Sequence, residues 1–238
     1  MGPPVRTQRS IARWTGAVYL VMVLTGMFSL AYVPGQLRAV GDPAGMLDHI
    51  LARQRLFEAG IASFVLEQLA FLALPFLLHR LLREGQRTLA AAMVVLAVIA
   101  VPIALVAAAH RLDALAVLTD PGFDAVSSNL REAMALQSMM AYRHAIFLTT
   151  LFWGLWLLPL GVLVYRSRRL PRVLGAALVL GGLGYVCNVF GELLLPGYDQ
   201  SAVSNYATLP AAFGEIGLCL WLLLFGMRAT ASPRETTE

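Results

Sequence analysis

Six stretches of the chain are apolar almost without interruption, and the segments between them carry most of its charge. They run over residues 14–33, 57–78, 88–109, 144–165, 173–195 and 207–227. A bilayer core of roughly 30 Å is crossed by about 20 apolar residues in helical form. Backbone groups in lipid must be satisfied within their own segment, so such stretches are helices; the two-residue alternation of a membrane barrel is absent from them. The pattern predicts an all-α integral membrane bundle of six transmembrane helices, a single domain over residues 1–238.

The connections add detail. The first helix is expected to end at Pro34-Gly35, and Gly41-Asp42-Pro43 signals a turn. Beyond it Met46, Leu47, Ile50 and Leu51 recur at helical spacing among Asp48, Arg53 and Arg55. This predicts a short amphipathic helix on the outer membrane surface. The outer connection 111–143 turns at Asp120-Pro121-Gly122 and is then partly helical from Val126 to Tyr142, too polar to span. Ala100, Ala104 and Ala108 form a stripe for close helix approach, and Pro102 should kink their helix. The tight arginine loop 166–172 predicts an antiparallel hairpin, whose second helix packs closely through Ala177, Gly181, Gly182 and Gly184. The tail after Arg228 is short and polar, as loose ends are.

Composition agrees: 58% of residues are hydrophobic and 13% charged, against about a quarter charged in soluble domains. With the N-terminus inside, twelve of the 18 basic residues, all arginine, fall on inner segments and six on outer ones. That bias places both termini in the cytoplasm. The pI of about 9.4 therefore reports topology and contact with membrane lipids, not nucleic acid. Cys187 and Cys219 lie inside predicted helices and read as small apolar packers, not as a disulfide or metal motif. A secretory signal cleaved near Ser29-Leu30-Ala31 is the rival reading of the first helix. The apolar run continues to Val33, long for a signal core, which favours a retained helix.

The block FWGLWLLPLGVLVYRSRRLPRVLGAALVLGGLGYV, residues 152–186, resembles the signature of the DUF4386 family, bacterial multi-pass membrane proteins of unknown function. LPAAFGEIGLCLWLLLFG at 209–226, IARWTGAVYLVMVLTG near the start and Gly41-Asp42 fit the same family. The resemblance spans nearly the whole chain and implies a six-helix fold in a bacterial inner membrane. Glu215 falls on the family's Gly-Glu pair, while Glu192 stands where variation is expected. No catalytic residue carries over.

Charged groups inside a span cost roughly 2.5–3.5 kcal/mol on insertion scales and mark candidate sites. Three glutamates qualify. Glu215 should lie roughly 12 Å below the outer end of its helix and Glu192 about 5 Å, with Glu67 near mid-span. Tyr185, Asn188 and Glu192 share a helix face at i, i+3, i+7, and His110 and His144 stand at the expected outer ends of helices three and four. Glu215 and Glu192 are thus candidate catalytic residues. Asn188, Tyr185, Glu67, His110, His144 and Trp153 are candidate ligand contacts.

The leading expectation is an outward-facing pocket that binds or processes a lipophilic small molecule, because a carboxyl in apolar surroundings can serve as a proton donor. Alternatives are a metal held by His110, His144 and a glutamate, or polar residues acting only as packing glue in an accessory or regulatory protein. The His spacing matches no metal motif, so neither metal nor cofactor is expected. Phe152, Trp153 and Trp156 read as core before they read as a ligand cage. A transporter subunit stays open, with a second copy of the chain as a candidate partner, since six helices are few for a solute path. No phosphate loop, nucleophile elbow or dinucleotide fingerprint occurs.

Overall fold

The computed structural model describes residues 5–37 and 43–227. Arg38, the Gly41-Asp42 part of the expected turn and the tail from Arg228 lie outside them. Among the described residues no strand occurs, and six helices are long and apolar enough to cross a membrane. The first comprises α1 (Val5–Gly26), a π-helical stretch Met27–Tyr32 and α2 (Val33–Leu37). Next come the short α3 (Pro43–Ala52) and the long α4 (Gln54–Leu82), α5 (Arg87–Thr119), α6 (Ser128–Arg166) and α7 (Arg172–Leu194). A short α8 (Ala202–Tyr206) leads into α9 (Leu209–Leu224).

Short turns make α4 to α7 antiparallel neighbours. α9 packs on both α7 and α1, so the spanning helices close a ring in chain order. Its core runs through Tyr19, Phe71, Leu74, Trp156, Leu157, Leu178 and Leu218, all buried. Large apolar side chains point outward along the spans, among them Leu69, Leu105, Leu180 and Leu220. This outward face meets lipid. At one end, here the arginine end, Arg169 pairs with Glu84 at 3.6 Å and Arg166 donates to Gln86 at 3.4 Å. The opposite end carries α3 and the α5–α6 turn.

Small residues let the helices approach. Gly154 faces Gly182 and Gly161 faces Gly175 across the α6–α7 seam, while Gly181 and Gly184 abut Ala211 and Ala207. Ala100, Ala104 and Ala108 are buried in α5 as their spacing predicts.

Several boundaries differ from the hydropathy reading. α5 continues ten residues beyond 109 and α6 begins sixteen residues before 144. At 33 and 39 residues they are about 50 and 58 Å long, against a bilayer core of roughly 30 Å. Charge marks where lipid ends, whereas the helix ends only at Asp120, whose carboxylate accepts from Gly122 N at 2.8 Å. His110 and His144 consequently sit within helices, not at their ends. Part of the apolar face of α3, expected on the membrane surface, covers protein: Leu47 and Ile50 pack with Val33, Leu37, Phe57, Ile61, Val117 and Ala135, while Leu51 stays exposed. Finally, the first helix does not stop at Pro34-Gly35. Proline lacks an N–H and its ring crowds the carbonyl four residues back. The widened π turn just before it, in which Val33 N–H bonds Phe28 O, makes that room.

Candidate functional site

Where α9 closes against the first span, the ring leaves a cavity of about 300 Å³. Met22, Val23 and Leu30 wall it from the first span, Phe71 from α4, Trp153 and Trp156 from α6, and Ile216 from α9. Into this apolar space come Glu67 of α4, Glu215 of α9 and Tyr185 of α7. Met27 and Ile216, 58% and 42% exposed, stand with exposed Ala31 and Ala212 at its edge. The cavity therefore opens sideways, toward the lipid face between the first span and α9.

Each polar group is placed by local packing. Glu67 is 6% exposed, and its Oε2 accepts from Gln68 Nε2 at 2.7 Å. Gly26 lies opposite; a β-carbon there would stand 3.5 Å from Glu67 Cγ. Glu215 Oε1 accepts from the Tyr19 hydroxyl at 3.2 Å, a bond from α1 to α9. Neighbouring Gly214 lets α9 settle onto Leu178 of α7. The two carboxyls line the same cavity. Trp156 is fully buried and meets Phe71 edge-on at 5.1 Å and 87°. Trp153 is half-buried beside Phe64, Ala104 and Ala108. Such a site can accept hydrogen bonds from, or exchange a proton with, the polar part of an otherwise apolar molecule.

The cavity gathers four of the eight predicted residues: Glu215, Glu67, Tyr185 and Trp153. The other four lie elsewhere. Asn188 donates to Ser204 O and accepts from the Tyr198 hydroxyl, each at 2.9 Å, so it pins the segment before α9. Glu192 and His144 are exposed. His110 Nδ1 lies 3.5 Å from Asp113 Oδ2 within its own helix. Among the described residues no group of three or more His, Cys, Asp or Glu could hold a metal ion.

Sequence reasoning missed two features. The π stretch supplies Met27, Leu30 and Ala31 to the cavity wall; a proline followed by continued helix was its only signal. Arg111, expected at the rim, is 2% exposed. Its guanidinium lies 4.7 Å from the Phe57 ring centroid and 5.2 Å from that of Tyr142, over Gly60, with Nε and Nη1 unbonded. The signal was there: Arg111 extends the Ala100, Ala104, Ala108 stripe by three residues and so falls on the packed face.

No curated protein and no solved structure matches the chain. The family model described as a domain of unknown function, DUF4386, matches residues 14–226. That span takes in both cavity carboxyls and all six spanning helices except the start of the first, and the protein belongs to the DUF4386 family.

Proposed function

We propose that the protein binds a lipophilic small molecule that enters from the bilayer between the first span and α9. Glu215 and Glu67 hold its polar group. The observation that carries this reading is the lateral cavity itself: its volume of about 300 Å³ reaches the range of small-ligand sites. Two carboxyls in a largely apolar, lipid-accessible space are costly to keep unless they are used. The arginine end faces the cytoplasm of a bacterial inner membrane, following the excess of arginines there.

One observation favours a second reading, in which the polar residues only fasten helices: Tyr19 already bonds Glu215 across the α1–α9 seam. Copurification separates the two. Purified protein and its Ala212→Trp variant, which fills the exposed mouth, are carried through the same detergent exchange and their extracts compared by mass spectrometry. A lipophilic compound near one per chain in the wild type and depleted in the variant supports a ligand site. Identical extracts from equally folded proteins refute it.

A further inference from the structure

We infer that the occupant of this cavity is a lipophilic organic cation, an ammonium- or phosphonium-bearing molecule whose charge sits between Glu67 and Glu215 among the rings of Trp153, Trp156 and Tyr185. The inference rests on reading the cavity as a ligand site and adds the charge of what it takes.

The lining is one-sided in charge. Both of its carboxyls are acidic and none of its side chains is arginine, lysine or histidine. The buried guanidinium of Arg111 is engaged with Phe57 and Tyr142 rather than with the cavity. The lining is also rich in acceptors. A carboxylate offers about four lone-pair sites, whereas Glu215 receives one bond from Tyr19 and Glu67 one from Gln68. An anionic or carbonyl-rich ligand would find few donors there and two repelling groups.

Two carboxyls in one apolar cavity are held either by protons or by a counter-cation, because isolated buried charges are strongly disfavoured. The aromatic wall favours the cation. Indole and phenol rings attract organic cations through their quadrupoles, and tryptophan does so best. Met22 and Met27 add polarisable sulfur at the wall. The mouth, made of Met27, Ala31, Ala212 and Ile216, offers no charge, so the cation must carry enough apolar surface to arrive through lipid.

The test uses the full chain in phosphatidylcholine nanodiscs, titrated separately with labelled tetraphenylphosphonium and with its neutral isostere tetraphenylsilane. The expected result is saturable phosphonium binding that the silane does not match. Glu67→Gln and Glu215→Gln should each weaken it about tenfold or more, as loss of a buried charge partner does. Glu215→Asp, which keeps the charge, should retain it, and Ala212→Trp should abolish it. The comparison of the two probes on wild-type protein decides charge selectivity even if a glutamine variant fails to fold. Equal binding of both probes, or phosphonium binding indifferent to both glutamine substitutions in folded protein, overturns the cation while leaving the cavity a ligand site. Absence of saturable binding by either probe overturns the cation and, with identical copurification extracts, the ligand site as well.

Discussion

Gly154 offers the sharpest test of how the site is built. It lies on α6 where that helix meets α7, directly against Tyr185. A methyl group there would stand 2.5 Å from Tyr185 Cβ and 2.8 Å from Gly182 O. Ordinary contact begins near 3.4 Å, so the two helices must part by about 0.9 Å. A β-carbon and a backbone oxygen cannot rotate aside as the end of a long side chain can. Overpacking of this kind costs about 1–3 kcal/mol. Gly154→Ala should therefore lower the folding equilibrium between about fivefold and 150-fold, at a factor of ten per roughly 1.4 kcal/mol. Reversible unfolding by dodecyl sulfate in mixed micelles, followed by circular dichroism, measures it. Gly182 meets the same contact from the other side, 2.7 Å from Gly154 O. The double alanine variant should thus lose less than the sum of the singles, because the helices are already apart. Gly35→Ala, in α2 with nothing within 4 Å, is the control and should leave stability the same or raise it by up to about 1 kcal/mol. If Gly154→Ala is as stable as wild type, or the double variant is strictly additive, the close-packed seam is not what holds Tyr185 in place.

Two further substitutions probe the buried polar groups by the same unfolding measurement. Tyr19→Phe removes the donor to the half-buried Glu215 and should cost about 0.5–1.5 kcal/mol, the net worth of one hydrogen bond; no loss would mean that Glu215 does not depend on α1. Arg111→Lys keeps the charge but loses the planar contact with Phe57 and Tyr142, and should cost about 1–2 kcal/mol. Wild-type stability in that variant would show that the guanidinium plane contributes nothing at this position.

The spans were legible because bilayer thickness sets a length that no soluble helix need satisfy, and six runs in this chain meet it. The reach of α5 and α6 beyond that length was not. Hydropathy reports the solvent around a helix, and Arg111, Asp113, Arg131 and Arg143 change the solvent signal without breaking the helix. The site was half legible. Glu67, Glu215, Tyr185 and Trp153 could be picked out as polar or aromatic groups within spans, but their meeting depends on α9 closing against α1, a contact between the two ends of the chain. The shared face of Tyr185, Asn188 and Glu192 illustrates the limit. Helical spacing aligns the three, yet the segment before α9 folds back over that face: Tyr198 bonds Asn188 and lays its ring on Gly191. Tyr185 is left facing the cavity while Glu192 stays exposed.

Pro34 connects these local facts to the cavity. Read alone, a proline and glycine after twenty apolar residues are a stop. In a continuing α-helix the Pro34 ring would press on the carbonyl of Leu30 and leave a backbone acceptor without its donor. The chain instead widens one turn, so that Val33 N–H reaches back five residues to Phe28 O, and the helix runs on to Leu37. Such an inserted residue rotates everything beyond it by about 100° relative to a regular helix. Val33 and Leu37 are thereby turned into the packing with α3 and α4. Met27, Leu30 and Ala31 lie within the widened turn and form one wall of the cavity. Ser63 of α4 donates to the carbonyl of Thr25 at 3.1 Å just before the turn, which ties the wall to the helix that carries Glu67. A regular helix through the same residues would turn a different set of side chains toward α4 and α9. The residue that looks like the end of the first helix is thus the reason its last third borders the two carboxyls.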